Sequence, residues 1–198
     1  MEREDWDQRY VDKELVWSAG PNQFVAEVLD ATPPGRALDL ATGEGRNAIW
    51  LAERGWRVTA VDFSTAGLAK ARTLAEARGV EVDWVAADVR EYDAPGAFDL
   101  VLIAYLHLPA AQNAAVVRRA AAAVAPGGTF LLVGHDRTNI AEGIGGPQDP
   151  DVLHTPEDVV AALDGLDVQR AERVHRTVET DEHRAAAIDT LVVAVRPS

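Results

Sequence analysis

The stretch that decides the fold runs from Arg36 to Ala48 and reads RALDLATGEGRNA. Ala37, Leu38 and Leu40 form a short apolar run around Asp39, Gly43 and Gly45 punctuate a turn, and Ala48, Ile49, Trp50 and Leu51 begin a helical pattern. The order is strand, tight glycine turn, helix. Without a Cβ, Gly43 and Gly45 allow positive φ and let a ligand lie directly against the backbone. A turn of this kind at a strand end holds a nucleotide-like molecule.

Two ligand classes compete for the turn. Gly43, Gly45 and Ala48 satisfy the G-x-G-x-x-G/A pattern of a dinucleotide site, in which a pyrophosphate rests on the helix N-terminus, and that reading predicts an NAD-dependent oxidoreductase. Asp39 at the strand end and Glu44 between the glycines favour the other class, because they repel a pyrophosphate and suit a ligand with positive charge. S-adenosylmethionine, with a sulfonium and an ammonium, is such a ligand. On these residues the chain resembles the class I (Rossmann-like) S-adenosylmethionine-dependent methyltransferases. Their first motif, acid-x-Gly-x-Gly-x-Gly, is matched by Asp39-Leu40-Ala41-Thr42-Gly43-Glu44-Gly45. Ala41 stands in for the first glycine, so that position is expected to tolerate a methyl group. Around this loop the resemblance implies cofactor contacts from Asp39, Ala41, Gly43, Gly45, Arg46 and Asn47.

The whole chain agrees with one such unit. Its 198 residues, 47% hydrophobic, suffice for one sizeable core and predict a single domain over residues 1–198. Residues 1–30 are read as a lid and first helix, 36–134 as the cofactor-binding core and 135–198 as a substrate loop and closing hairpin. The formal charge of −13 and the lack of clustered Lys and Arg argue against a nucleic-acid groove. With no cysteine there is no disulfide, thiolate metal site or cysteine nucleophile, and no metal is predicted. The charged start MEREDWDQRY lacks the apolar core of a signal peptide, and no apolar run approaches the roughly 20 residues of a membrane span. The expectation is a cytoplasmic protein with no membrane partner.

Further along, each strand end adds a candidate. Arg57 to Val61 alternates as a second strand closed by Asp62, nineteen positions past Gly43 and near the spacing of about 20 at which Rossmann folds place an acid on ribose hydroxyls. Capping the next helix is left to Ser64, so Asp62, with Phe63 beside it, is read as the ribose site. A third strand, Val80 to Ala86, leads to Asp88 and Val89, which the resemblance assigns to the adenine amine and ring. Phe98 to Ile103 is a buried parallel strand, and Ala104 sits at its carboxyl end, where small residues let a cofactor approach. His107, just beyond, is a candidate for proton transfer or a residue bonded to backbone.

Alanine-rich Pro109 to Val124 reads as a helix, and Pro126-Gly127-Gly128 breaks it before a fifth strand, Thr129 to Gly134. This APGGTFLLVG segment is similar to the helix-turn-strand that the same family carries here. His135 and Asp136 leave that strand at the crevice and are candidates to orient or deprotonate an acceptor. The loop Gly143 to Pro150 is read as a substrate wall or a surface excursion. Thr155-Pro156-Glu157-Asp158 starts a short helix, and Val168–Val178 and Ile188–Val195 form two further strands, the antiparallel hairpin that distinguishes these methyltransferases from dehydrogenases. Arg173, Arg176 and Arg184 are a solvated face or a site for an anionic acceptor.

At the N-terminus, Trp6, Tyr10 and Trp17 either staple a helix to the sheet or roof the site, and Pro21 suits the first turn of a helix to Leu29. The pattern Trp-Asp-x-x-Tyr followed by Trp-Ser-x-Gly-Pro-Asn is similar to the lid of small-molecule enzymes near the tellurite-resistance and thiopurine methyltransferases. That resemblance makes Trp17 and Asn22 candidates for the methyl-transfer pocket. The predicted architecture is a doubly wound, seven-stranded, mostly parallel α/β sheet with a C-terminal antiparallel hairpin. The predicted function is in-line methyl transfer from S-adenosylmethionine to a small-molecule acceptor, with His107 or His135 as base where the acceptor needs one. A non-catalytic S-adenosylmethionine-binding protein is the other reading that the residues leave open.

Overall fold

Period-two alternation of apolar residues builds the sheet from the inside. In the computed structural model, which describes residues 3–13, 15, 16, 20–94, 98–179 and 184–198, β1 (Arg36–Leu40) lies beside β2 (Arg57–Asp62) and β4 (Phe98–Ala104), parallel to both. β3 (Asp83–Ala86) extends one edge and β5 (Val124–His135) the other, again in parallel. The antiparallel pair β6 (Asp167–Glu179) and β7 (Arg184–Val195) closes the order β3-β2-β1-β4-β5-β7-β6. Chain direction away from the start reverses between β1 and β4, the place where open α/β sheets form a ligand crevice at the strands' carboxyl ends.

Alternate side chains feed two cores. Leu38, Val101, Ile103, Phe130 and Leu132 face α5 (Ala110–Ala123) and α7 (Pro156–Ala161). Ala37, Leu100, Leu102, Leu131 and Val133 face α2 (Gln23–Leu29) and α3 (Arg46–Glu53). Leu100, Leu102, Ile103 and Leu131 are fully buried. Each is worth about 1.5–3 kcal/mol over leaving the side chain in water, so β4, apolar on both faces, anchors the crevice floor. Among the described residues no helix is long and apolar enough to cross a membrane.

Local signals place the ends. Ser64 Oγ accepts the Gly67 N–H at 3.0 Å to cap α4 (Thr65–Arg78), and Gly79 ends it in the left-handed region. The third strand is shorter than its apolar run, starting at Asp83 rather than Val80. Pro21 lies outside α2, because Asn22 takes the cap with Oδ1 accepting from Phe24 and Val25. Pro126-Gly127-Gly128 bulges within β5: the register jumps from Phe98↔Val124 to Leu100↔Thr129, and a Cβ on Gly128 would stand 2.9 Å from the Phe98 carbonyl.

The N-terminal α1 (Arg3–Val11) is fastened beside the glycine turn. Asp7 accepts from Ser64 Oγ and from the Ala66 N–H at the start of α4. Glu44, expected to face a cationic ligand, instead turns outward from the crevice. Its carboxylate accepts the Val16 N–H at 3.0 Å and Lys70 Nζ at 3.2 Å, so its charge fastens the N-terminal segment.

Candidate active site

The crevice above β1 and β4 contains Asp39, Ala41, Gly43, Arg46, Asn47, Asp62, Phe63, Asp88, Val89, Ala104 and His107, eleven of the residues singled out from the sequence. Trp17 lies outside the described residues. Gly45 and His135 stand elsewhere, for reasons given below.

Asp39 ends β1 with its side chain in the crevice and is 1% exposed. Burial pushes its carboxyl up to about 7, against a 2.7 Å hydrogen bond from Thr42 Oγ1 that favours the ionised form. The charge of Arg46 also favours the ionised form, yet burial outweighs it. Asp62, at the end of β2, accepts the Gly43 N–H through Oδ2 and the Ser64 N–H through Oδ1, both at 2.8 Å. Burial raises its pKa as well. A carboxylate has about four acceptor positions, so two remain for a ligand's hydroxyls after the backbone bonds are made. Asp62 thereby shapes the turn and stays available in the cleft.

Ala41, Gly43 and Gly45 of the turn are all left-handed, and the first and last have different reasons. Ala41 has φ of 59°, so the place of the missing glycine has space for a methyl but keeps a backbone that an L-residue adopts at a cost of about 1–2 kcal/mol. Gly45 has φ of 76°, and a Cβ there would stand 2.6 Å from the Trp84 ring. This glycine serves the packing of the turn on Trp84 and does not line the cleft.

Asp88 differs from its predicted state. Arg90 holds both of its oxygens, through Nε at 3.0 and 2.9 Å, Nη2 at 2.6 Å and the backbone N–H at 2.8 Å. The guanidinium holds the carboxyl below its usual range. A donor such as an adenine amine must displace part of that fork.

Trp6 and Tyr10 of α1 roof the cleft, with their rings stacked at 5.6 Å. Tyr10 is also 4% exposed, so stapling and roofing are one arrangement. His107 lies below them. Burial and the nearby His135 push its pKa down to about 3, and its buried Nε2 has no hydrogen-bond partner among the described residues. It is a neutral imidazole with one nitrogen left over, suited to orient a polar group and ill suited to store a proton above pH 5.

His135 lines an adjoining cavity with Asn22, Arg46, Tyr105 and Arg176. Its ring stacks on His107 at 5.5 Å, and its Nδ1 lies 3.2 Å from Asp189 Oδ1. Asp136 does not reach either cavity as a free acid: fully buried, it accepts from Thr138, Thr190 Oγ1 and Arg173 Nε and joins β5 to the hairpin. Asn22 Nδ2 donates to the Tyr105 hydroxyl and lines the adjoining cavity, not the crevice. Asn139 donates to the carbonyls of Ile144 and Gly145, and Gly146 packs against His135, so Gly143 to Pro150 lies behind the site and lines neither cavity.

Sequence reasoning missed Tyr105 and Asp189. Tyr105, one residue past Ala104, has φ of 59° and borders both cavities. Its hydroxyl donates to Asp189 Oδ2 at 2.7 Å, and burial beside that carboxylate raises its pKa. The legible signal was Asp189 itself, a lone acid in the apolar run Ile188-Asp189-Thr190-Leu191.

A reversed α/β sheet with acids at the ends of β1 and β2 around a glycine turn is a Rossmann-like architecture, whose ligands lie in the crevice at the switch point. Residues 37–128 match the family model described as "Methyltransferase domain". The demethylmenaquinone methyltransferase of Thermus thermophilus is 42% identical over 103 residues, which are 50% of this chain and 47% of that protein. A ubiquinone biosynthesis O-methyltransferase of Xanthomonas campestris is 33% identical over 115 residues, 56% of this chain and 47% of that protein. The chain thus spans about half the length of the curated relatives it matches. Among solved structures, TehB from Haemophilus influenzae superposes with a TM-score of 0.74 at 16% identity, covering 98% of this chain and 67% of that one. The N-methyltransferase NodS from Bradyrhizobium japonicum, in complex with S-adenosylhomocysteine, gives 0.74 at 18% identity over 99% and 98% of the two chains. Residues 37–128 thus resemble a methyltransferase domain, and the whole chain shares the fold of TehB and NodS.

Proposed function

We propose that the protein transfers a methyl group from S-adenosylmethionine to a small-molecule acceptor. The observation that carries this reading is the pairing of Asp39 and Asp62, both nearly buried, in one cleft at the β1/β4 switch point. Two carboxyls out of water need a ligand that compensates them, and a cationic nucleoside does so where a pyrophosphate would not. The residues fit the cofactor: Asp62 keeps acceptor positions for ribose hydroxyls, Asp39 faces the cationic end, and Phe63 and Val89 offer apolar walls to the base.

When bound, the cofactor supplies an activated methyl on sulfur, so the protein's task is alignment and dryness. Trp6, Tyr10, Leu106 and Leu108 exclude water from the reacting end. His107 Nε2 orients a polar group of the acceptor, and its low pKa excludes it as a proton store at neutral pH. A soft or already ionised nucleophile suits such a site. The names of the quinone-pathway relatives support an acceptor of small-molecule size.

A thermal-shift comparison tests the cofactor: S-adenosylhomocysteine is expected to stabilise the protein and NAD to leave it unchanged. Labelled methyl transfer to a panel of phenols, thiols and quinols then tests turnover. Stabilisation by NAD alone rejects the reading, and cofactor binding with no transfer to any acceptor class turns it into that of a binding protein.

A further inference from the structure

The cavity beside the cofactor cleft is the part of the molecule that methyl transfer, as described, leaves unused. Its volume is about 240 Å³, below the roughly 300–1,000 Å³ of whole-ligand pockets. It suits one group of a molecule. Arg46 and Tyr105 border both this cavity and the cleft, so the two adjoin across these side chains.

Arg176 is built into the wall. Its neighbour on β6, Arg173, is spent on Asp136 and Glu157, and the Arg184 side chain lies outside the described part. Arg176 Nε donates to Asp189 Oδ2 at 2.9 Å and to the Tyr105 hydroxyl at 3.1 Å. Asp189 is fully buried, and the Tyr105 hydroxyl is itself held by Asn22 Nδ2 at 3.1 Å. The side chain is 24% exposed, and among the described residues its two Nη atoms make no hydrogen bond. A guanidinium pinned through Nε presents the Nη atoms as a fixed fork, the geometry that recognises a carboxylate. Arg46 adds a second cation, and no carboxylate lies among the described residues that line the cavity, in a chain with 32 acids and 19 bases.

We propose that this cavity binds the carboxylate of the methyl acceptor, so that the acceptor is a small organic acid lying across Tyr105 with its nucleophile in the cofactor cleft. The proposal rests on the methyl-transfer reading and deepens it by naming the acceptor's chemical class. A carboxylate could also come from the methionine end of the cofactor, and the test separates the two sources.

The test titrates acetate, benzoate, 4-hydroxybenzoate and indole-3-acetate, each against its neutral amide, into wild-type protein saturated with S-adenosylhomocysteine. At least one acid is expected to bind tenfold or more tighter than its amide. Arg176→Gln is expected to weaken that acid about 10- to 100-fold, the range for a charged hydrogen-bonded contact, with S-adenosylhomocysteine affinity within twofold of wild type. Gln23, exposed on the cavity rim and outside the Asp189 network, gives a second arm that is independent of folding effects at Arg176. Gln23→Glu is expected to weaken the acid and Gln23→Lys to strengthen it, each about threefold. No acid preference in wild type, or equal effects of the two Gln23 variants, overturns the proposal. An equal loss of S-adenosylhomocysteine in Arg176→Gln also overturns it and assigns the fork to the cofactor. Failure of wild type to bind S-adenosylhomocysteine at all removes the underlying methyl-transfer reading, and the proposal falls with it.

Discussion

Two cavities meet at Tyr105 and Arg46 and differ in their acids: Asp39, Asp62 and Asp88, the last held by Arg90, line one, whereas among the described residues Arg176 and no carboxylate line the other. The acids come from successive ends of parallel strands, which the sheet converges on a single crevice. The guanidinium of Arg176 comes from the hairpin, which reaches the same edge of the sheet from the opposite side of Tyr105. A net charge of −13 says nothing of this division, because a local field depends on which few groups are held out of water together. The carboxyl cleft is poised for a cation, and the second cavity has one fixed guanidinium and a buried carboxylate that holds it.

The largest expected effect falls on the acidic side. Asp62→Ala removes the partner of two backbone N–H groups as well as the proposed ribose acceptor, and should cost on the order of 3 kcal/mol in S-adenosylhomocysteine binding by titration calorimetry. Carboxylate binding across Tyr105 should change far less, and equal losses at both cavities would dissolve the division. Gly45→Ala drives a methyl toward the Trp84 ring at positive φ, and about 2–3 kcal/mol of unfolding free energy should be lost in urea melts. Its failure to destabilise would show that the turn is not held by Trp84.

Next in size is a pH effect with a defined sign. Asp39 has a folded pKa of about 7, above its value of about 4 unfolded. The ligand-free fold therefore favours the neutral carboxyl, and this group's contribution to stability declines as pH rises from 4 to 7. A cationic ligand favours the ionised form, so its affinity should rise with pH up to about 7 and then level off. We expect three- to tenfold tighter S-adenosylmethionine binding at pH 7.5 than at pH 6, with proton release below pH 7, and a flat profile in Asp39→Asn. The smallest effect is at Ala41. Ala41→Gly relieves the left-handed backbone and should stabilise the protein by about 0.5–1 kcal/mol, read as a small rise in Tm.

Much of the cofactor side was legible because it depends on strand ends. Asp39, Asp62, Asp88 and Ala104 each follow an apolar run, and a parallel sheet brings such ends together whatever lies between them. Legibility failed where a side chain could choose between partners. Glu44 has the same sequence claim on a cationic ligand as Asp39, yet it turns to Val16 and Lys70, since an N-terminal segment arrives on its side. Asp136 resembled an acceptor-orienting acid until β7 and β6 brought Thr190 and Arg173 to it. Arg176 and Arg173 are three residues apart on β6, and nothing local says that one meets Asp189 and the other Asp136.

The sequence by itself determined the sheet, its reversal after β3, the glycine turn and the acids that close β1 and β2, because these follow from hydrophobic period, chain order and φ, which are local properties. Tertiary structure alone decided which acids stay in the cleft, which histidine faces it, and that Tyr105 divides an acidic cavity from a cationic one. Those outcomes depend on partners far apart in the chain, as the separation of 84 positions between Tyr105 and Asp189 illustrates, and only packing of the hairpin against β5 brings such partners within hydrogen-bonding distance.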